Sequence, residues 1–221
     1  MALRIRRLWL EDFRNYRALD LELGRLLYLV VGANGQGKTN LLEAVAVAAT
    51  GASPRPHRDE ELVRWGASRA RAGLEAETAV GAARVEVEIA PGVGTSAVLN
   101  GAPVRRLADL PGRLPVVTFG PADLGLVQGG PSARRRFIDG ALAQGRRSYR
   151  IWLARYLRAL RQRNHLLRAL TEAGARSGAG PDEDTLAAWD RELVLAGARV
   201  VALRARELAA LGEAARRWHA H

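Results

Sequence analysis

The sequence predicts an α/β fold followed by a helical arm, in a chain of 221 residues. Three observations predict this class. An apolar run at 26–31 leads into a glycine-rich loop and then a helix-forming segment, which is the strand–loop–helix order of a P-loop. Alternating apolar and polar residues on both sides of that unit indicate further strands. From about residue 131 the apolar residues adopt helical spacing, which indicates a separate helical part.

The most specific motif is a glycine-rich octet that fits the pattern G-x-x-x-x-G-K-[ST]. It consists of Gly32, Ala33, Asn34, Gly35, Gln36, Gly37, Lys38 and Thr39, and Asn40 follows it. Lys38 is the only lysine in a chain that otherwise uses arginine as its strong base. A compact ammonium fits inside a tight loop around phosphates, whereas a planar guanidinium is wider and more rigid. The octet therefore predicts a nucleotide site.

The octet also assigns roles, with ATP and Mg²⁺ as the predicted cofactors. Backbone N–H groups at the helix start would face the β- and γ-phosphates, helped by the helix dipole. Lys38 would neutralise charge on those phosphates, and the Thr39 hydroxyl would bind Mg²⁺. The alternative interpretation is a glycine turn that only joins a strand to a helix.

The remaining elements follow from local patterns. We predict strands at 3–10, 19–23 and 26–31, a helix at 40–49, a short helix at 59–65, a meander with strands at 74–78, 85–89 and 97–99, and a last short strand at 115–119. Asn100-Gly101 is a strong hairpin-turn signal within the meander. These elements place an N-terminal lobe at residues 1–130.

Residues 131–221 predict a helical domain. Two long helices carry apolar residues at helical spacing, and a segment at 171–184 rich in Gly, Ala, Ser and Pro predicts a flexible connection between them. The pair should form an antiparallel arm. Its heptads are too short and broken to argue for an extended coiled coil.

Composition narrows the class of partner. The chain is 48% hydrophobic and 26% charged, as in soluble globular proteins, and it contains no cysteine, which excludes disulfides and thiolate metal sites. A net charge of +11 favours polyanionic partners, with nucleic acid first and an anionic membrane surface second. No apolar stretch is long enough for a membrane span. We expect a cytoplasmic protein with no membrane partner.

Several arginines are candidates for DNA contact. Arg146, Arg147 and Arg150 open a basic stretch in which aromatic residues are interleaved, and Arg55 lies in the loop after the P-loop helix. Contact with a DNA backbone would exploit this charge. The alternatives are a solvated basic face on α-helices whose aromatics form the core, and a solvated cation at Arg55.

Three further segments, D-F-R-N-Y at 12–16, P-S-A-R-R-R-F-I-D at 131–139 and Q-R-N-H-L-L at 162–167, are more specific than the P-loop. Together with the P-loop, and in this order, they resemble the bacterial RecF family of DNA replication and repair proteins. The resemblance implies a P-loop ABC-type ATPase head of the SMC and Rad50 kind, built on a mixed sheet. It also places Arg14 and Asn15 near the base and ribose of the nucleotide.

The resemblance further implies binding of duplex DNA near single-stranded gaps, a weak DNA-dependent ATPase and ATP-dependent homodimers. It implies cooperation with RecO and RecR in loading the recombinase. One departure from the family pattern matters. The sequence contains neither an apolar run ending in paired acids nor an LSGGQ-like signature, elements that the family carries in the C-terminal part of the head. We therefore assign no catalytic residue and expect an N-terminal portion with an incomplete sheet and an unpaired edge.

Two other functions stay open. One is another SMC-related ATPase, of the Rad50 or RecN type, for which a much longer coiled coil would be expected. The other is a DNA-binding module with a vestigial P-loop, for which ATP should change neither the DNA affinity nor the oligomeric state.

Overall fold

The computed structural model describes residues 3–55, 58–174 and 183–220. The chain divides into two compact units, Met1–Gly125 and Leu126–His221. The first contains a sheet and the P-loop helix, and the second contains three longer helices. The predicted α/β class is confirmed.

The sheet has six strands in the order β2-β1-β3-β4-β5-β6. Their bounds are β1 Arg4–Phe13, β2 Tyr16–Glu22, β3 Ala70–Thr78, β4 Gly81–Ala90, β5 Gly94–Leu99 and β6 Ala102–Pro103. Every pairing among the described strands is antiparallel. The parallel component of the predicted mixed sheet is therefore not formed by these residues.

The sheet is apolar on one face and charged on the other, because its strands alternate. Leu8, Leu74 and Val87 point inward and are almost fully buried, and they pack with Val47 and Ala48 of the P-loop helix. The outer face is a ladder of ion pairs between neighbouring strands. These pairs are Arg6–Glu77, Arg7–Asp20, Arg71–Glu88 and Arg84–Glu75.

An indole lies across the outer face of this sheet. The Trp9 ring covers Gly73 of the neighbouring strand so closely that a Cβ at Gly73 would come within 2.2 Å of two ring carbons. The Arg84 guanidinium stacks 4.7 Å from the ring centroid. Glycine at position 73 is therefore required by the close approach of the ring.

The predicted hairpin turn between β5 and β6 is confirmed. Asn100 and Gly101 both have positive φ, 51° and 82°. This is the type I′ conformation that two-residue hairpins favour and that Asn-Gly adopts at low cost.

Two predicted strands are wrong. Residues 26–31 and 115–119 contain no strand, and most of their apolar side chains are exposed, with Leu29 at 87% and Val117 at 94%; Val116 is half-buried against the core. An extended apolar segment becomes a strand only when a neighbour supplies hydrogen bonds and covers its side chains. No described strand lies beside either segment.

The helices are α1 Lys38–Thr50, α2 Asp59–Leu62, α3 Gly125–Gln128, α4 Pro131–Gly145, α5 Arg147–Gly174 and α6 Glu183–His219. The predicted short helix at 59–65 thus ends at Leu62. Residues 175–182, the centre of the predicted flexible connection, lie outside the described residues. None of the helices in the described ranges is long and apolar enough to cross a membrane.

The two long helices, α5 and α6, run antiparallel. The ion pairs Arg155–Glu192, at 2.7 Å, and Arg163–Asp190 join them. Arg146, which immediately precedes α5, pairs with Glu207 of α6 at 3.3 Å. Arg155 also stacks 4.6 Å from the centroid of the Trp152 ring. The predicted antiparallel arm is therefore formed by α5 and α6.

The helical unit has a small core in which one phenol is completely buried. The Tyr149 hydroxyl donates to Asp139 Oδ1 at 2.5 Å, and Arg204 donates to both Asp139 oxygens at 2.8 Å. Burial and the neighbouring Asp139 carboxylate raise the pKa of Tyr149 to about 12. This triad joins α4, α5 and α6 at one point.

Candidate functional site

The glycine-rich loop at 32–37 curves because three of its residues adopt backbone conformations that glycine tolerates. Gly32, Gly35 and Gly37 have φ values of 153°, 83° and 99°. Gly37 is the N-cap of α1, and its carbonyl accepts the first helical bond from the Leu41 N–H at 2.9 Å. The loop therefore leads directly into the helix start.

The Lys38 side chain folds back over this loop. Its ammonium donates to the carbonyl oxygens of Gly32 and Ala33, both at 2.7 Å. An ammonium has three N–H donors, so one donor remains after these two bonds. The Lys38 ammonium is thus held beside the first two residues of the loop.

The turn between β1 and β2 supports the loop from one side. The Asn15 amide donates to the Gln36 carbonyl at 3.2 Å, and the Tyr16 hydroxyl donates to the Gly37 carbonyl at 3.2 Å. A Cβ at Gly37 would lie 2.6 Å from the Asn15 amide atoms. Glycine is therefore required at position 37 for two reasons, the positive φ and this contact.

A line of polar side chains continues along α1. Asn40 donates to Asn15 Oδ1 at 2.9 Å, and Arg55 donates to Asn40 Oδ1 at 2.8 Å. Arg55 also forms an ion pair with Glu43, one turn further along α1. Thr39 is exposed in the first turn of the helix.

Glu43 is the centre of this network, although its side chain is only 1% exposed. Arg14 binds it with two parallel bonds of 2.9 Å and 2.8 Å, and the Ser53 hydroxyl donates to it at 2.5 Å. Arg14 itself has a left-handed backbone, φ 53°, in the β1–β2 turn. Its guanidinium also donates to the Glu61 carbonyl at 2.8 Å. The carboxylate thus ties the hairpin turn, α1 and the segment after α1 together.

The charge of Glu43 is stabilised despite its burial. Desolvation raises the pKa of this carboxyl, but the hydrogen bonds from Arg14, Arg55 and Ser53 outweigh it and lower the pKa to about 2, from an ordinary value of 4.5. The group is therefore ionised at any pH at which the protein would function.

We expect this depressed pKa to make stability depend on pH. Because the folded pKa lies below the unfolded one, the contribution of Glu43 is complete above about pH 4.5 and is lost as the pH falls towards 2. The difference in unfolding free energy between the unaltered chain and Glu43→Gln should therefore shrink over this window. Urea denaturation at a series of pH values measures it, and a difference that stays constant or grows on acidification would contradict the assignment.

The loop fits a polyphosphate. The first turn of α1 contains no acidic residue and has no side-chain cap, so its N–H groups and the positive end of the helix dipole are not neutralised by a carboxylate. A Cβ at Gly32 or Gly35 would meet no atom within 4 Å, so there is open space beside the loop at these two positions. Lys38 supplies the positive charge. These features are compatible with phosphate groups seated in the loop.

The structure brings most of the predicted site residues together. The loop from Gly32 to Asn40 lies against Asn15, and Arg14 and Arg55 meet at Glu43. Sequence reasoning missed the role of Glu43, and no local signal distinguishes it from an ordinary helical glutamate. The pairing of Arg55 with Asn40 and Glu43 makes it part of the loop support; its contact with DNA stays a prediction.

The other predicted DNA contacts lie in the helical unit. Arg146 binds Glu207 of α6 at 3.3 Å, and Arg150 donates to the Ala143 carbonyl at 2.5 Å. Arg147 is exposed at the start of α5. All three lie near the α4–α5 junction, and their contact with DNA stays a prediction.

Comparison with known proteins gives consistent matches. A family model described as an AAA domain matches residues 7–100. The chain is 46% identical over 195 residues to the DNA replication and repair protein RecF of Frankia alni, which covers 88% of this chain and 51% of that protein. It is 40% identical over 219 residues to RecF of Synechococcus sp. (strain JA-3-3Ab), covering 99% of this chain and 56% of that protein. The chain thus spans about half the length of the curated relatives it matches.

Comparison with solved structures also finds a RecF protein. The recombination mediator protein RecF-ATP of the RecFOR pathway superposes with a TM-score of 0.86 at 27% identity, over 93% of this chain and 54% of that one. An Smc head domain with a coiled coil from Pyrococcus yayanosii has a TM-score of 0.51 at 20% identity, over 79% of this chain and 38% of that one. The second likeness concerns the fold alone.

Proposed function

The chain belongs to the RecF family of DNA replication and repair proteins, and on that premise we propose that it binds ATP with Mg²⁺ in the loop at 32–39 and acts with DNA in recombinational repair. One observation supports the nucleotide part above all others. The lone lysine of the chain is held over an open glycine loop at the uncapped start of a helix.

In this proposal each residue of the cluster has a distinct task. The N–H groups at the start of α1 and the Lys38 ammonium hold the phosphates, and Thr39 lies where its hydroxyl can bind the Mg²⁺ that accompanies them. Asn15, which donates to the Gln36 carbonyl, and the neighbouring Arg14 would lie near the base and ribose, as the resemblance to the family implies. The ion pair of Arg14 with Glu43 keeps this part of the site fixed.

We further propose that the chain alone binds ATP weakly and hydrolyses it negligibly. Phosphoryl transfer needs an acidic group that positions Mg²⁺ and the attacking water. The sequence has no apolar strand ending in paired acids, and Glu43 is occupied by two arginines. ATP-dependent homodimerisation, and work beside RecO- and RecR-like proteins and a recombinase in the cytoplasm, are proposals that rest on family membership.

The DNA part of the proposal rests on charge. With a net charge of +11, the chain should bind both single- and double-stranded DNA, preferentially at gaps or junctions if it follows the family. Of the four arginines predicted to contact DNA, Arg147 is the one that is exposed rather than half-buried, so it can reach a DNA phosphate most easily.

Fluorescence anisotropy with a labelled gapped duplex tests this function. We expect binding that weakens steeply with salt and that tightens when ATP and Mg²⁺ are added. Arg147→Ala should lower the slope of log K against log salt by about 0.9, the value for one phosphate contact. Arg7→Ala, which removes a cation already paired with Asp20, is the control and should leave the slope unchanged.

Two results would contradict the proposal. Absence of salt-dependent DNA binding would remove its DNA part. If ATP changes neither the DNA affinity nor the oligomeric state, the alternative of a DNA-binding module with a vestigial P-loop would be favoured.

A further inference from the structure

A groove of about 740 Å³ runs between α4 and α5 in the helical unit. Its floor is apolar and its rim carries two arginines. The residues that matter are Leu153, Tyr156, Leu157 and Leu160 on the floor, and Arg135 and Arg136 on the rim.

The floor is one continuous face of α5. Its four apolar residues follow the spacing i, i+3, i+4 and i+7, which aligns them on one side of a helix over roughly 10 Å, or two turns. Leu157 is 39% exposed, and the other three are half-buried. Leu153 and Tyr156 also pack with their inner sides against the buried core of the helical unit. In a helical bundle such a face is normally covered by a further helix.

The rim is positively charged. Arg135 and Arg136 are exposed, and neither forms an ion pair with any described residue. Asp139, the acid at the base of the groove, is already neutralised by two bonds from Arg204 and accepts the Tyr149 hydroxyl. The groove therefore combines an apolar floor with an uncompensated positive edge.

We propose that this groove docks an amphipathic helix of a partner protein, with apolar residues along one face and carboxylates beside them. Helices bind in grooves through anchors at i, i+3, i+4 and i+7, which is the spacing of the floor. Carboxylates beside those anchors would meet Arg135 and Arg136. The proposal goes beyond the nucleotide site and does not depend on it.

Two other occupants fit less well. DNA is held mainly through its phosphates and gains little from a floor of four apolar side chains. In a second copy of the chain, the exposed Leu195 of α6 would bring like charge, because it lies one turn from both Arg191 and Arg199. The exposed Leu208 and Leu211 of α6 lie beside acids, but Glu207 and Glu213 are already paired with Arg146 and Arg216.

Selection from a display library of random peptides about fifteen residues long, roughly four helical turns, tests the proposal on the full chain. We expect enriched peptides to carry apolar residues at the spacing of the floor and an excess of Asp and Glu. One enriched peptide, labelled with fluorescein, then serves as the probe in fluorescence anisotropy. Its matched control has every acid replaced by the corresponding amide and should bind about tenfold more weakly.

Substitutions in and outside the groove show where the labelled peptide binds. Leu157→Glu should weaken binding about a hundredfold, because it places a charge under the apolar anchors. Arg135→Glu combined with Arg136→Glu should weaken it at least tenfold. The controls are Val201→Glu, at an exposed apolar position of α6 outside the groove, and Arg191→Glu combined with Arg206→Glu. Circular dichroism and thermal unfolding show whether each variant folds.

The outcomes separate the alternatives. Loss of binding in the groove variants but not in the controls supports the proposal. It is overturned if no peptide is enriched, if neutral peptides bind as well as acidic ones, or if Leu157→Glu binds the probe normally. Displacement of the probe by a labelled oligo(dT), with the same dependence on Arg135 and Arg136, would instead make the groove a nucleic-acid surface. Concentration-dependent dimers lost in Leu157→Glu would make it a contact between copies of the chain.

Discussion

Replacing Lys38 with methionine is expected to weaken ATP binding by roughly a hundredfold or more. Methionine keeps the length of the side chain but removes the ammonium. Each charge-assisted hydrogen bond to phosphate contributes about 1.5–3 kcal/mol, and 1.4 kcal/mol changes an equilibrium constant tenfold. No other lysine in the chain can substitute. We therefore expect no measurable ATP binding by the Lys38→Met variant.

Titration with a fluorescent ATP analogue in the presence of Mg²⁺ measures this effect. The stability of the chain should barely change, because the Lys38 ammonium contacts only two loop carbonyls and lies at the surface. Lys38→Arg is the charge-matched control, and it should also bind poorly because a planar guanidinium does not fit the tight loop. Equal affinity of the unaltered chain and Lys38→Met would show that the P-loop is vestigial.

Replacing Glu43 with alanine is expected to lower the free energy of unfolding by about 3–5 kcal/mol, the usual cost of removing one partner from a buried ion pair. Arg14 is only 16% exposed, so its guanidinium would be left largely buried without its carboxylate. Arg55 and Ser53 would lose the same partner. Few single substitutions of a charged residue would have an effect of this size.

Urea denaturation followed by circular dichroism measures this loss. Glu61→Ala is the matched control, because Glu61 also lies near Arg14 but is 52% exposed and 3.8 Å away, so its loss should cost less than about 1 kcal/mol. Similar effects of the two substitutions would show that the Glu43 network does not stabilise the fold.

Features set by neighbouring residues were predictable from the sequence. The P-loop, the meander of β3 to β5 and the Asn100-Gly101 turn all depend on residues a few positions apart. The long helices α5 and α6 follow from spacing that repeats over many turns. For such elements the chemistry that forms them is contained in the local pattern.

Features that depend on distant residues were not predictable. The runs at 26–31 and 115–119 have the composition of buried strands, but hydrophobicity does not reveal whether a neighbouring strand exists. Glu43 has the helix propensity of any glutamate, and its role appears only when Arg14 and Arg55 are brought to it from both sides in sequence. In both cases the outcome depends on residues that are distant in the sequence.

The contact between Asn15 and Gly37 has a consequence for motion. Asn15 and Tyr16 of the hairpin donate hydrogen bonds to the Gln36 and Gly37 carbonyls of the glycine loop. If the hairpin turn and the loop separate, these bonds break. The hairpin turn and the loop should therefore fluctuate as one cooperative unit whose local opening free energy is set by the hairpin, not by the loop alone. A ligand that orders the loop would, by the same coupling, slow the opening of β1 and β2.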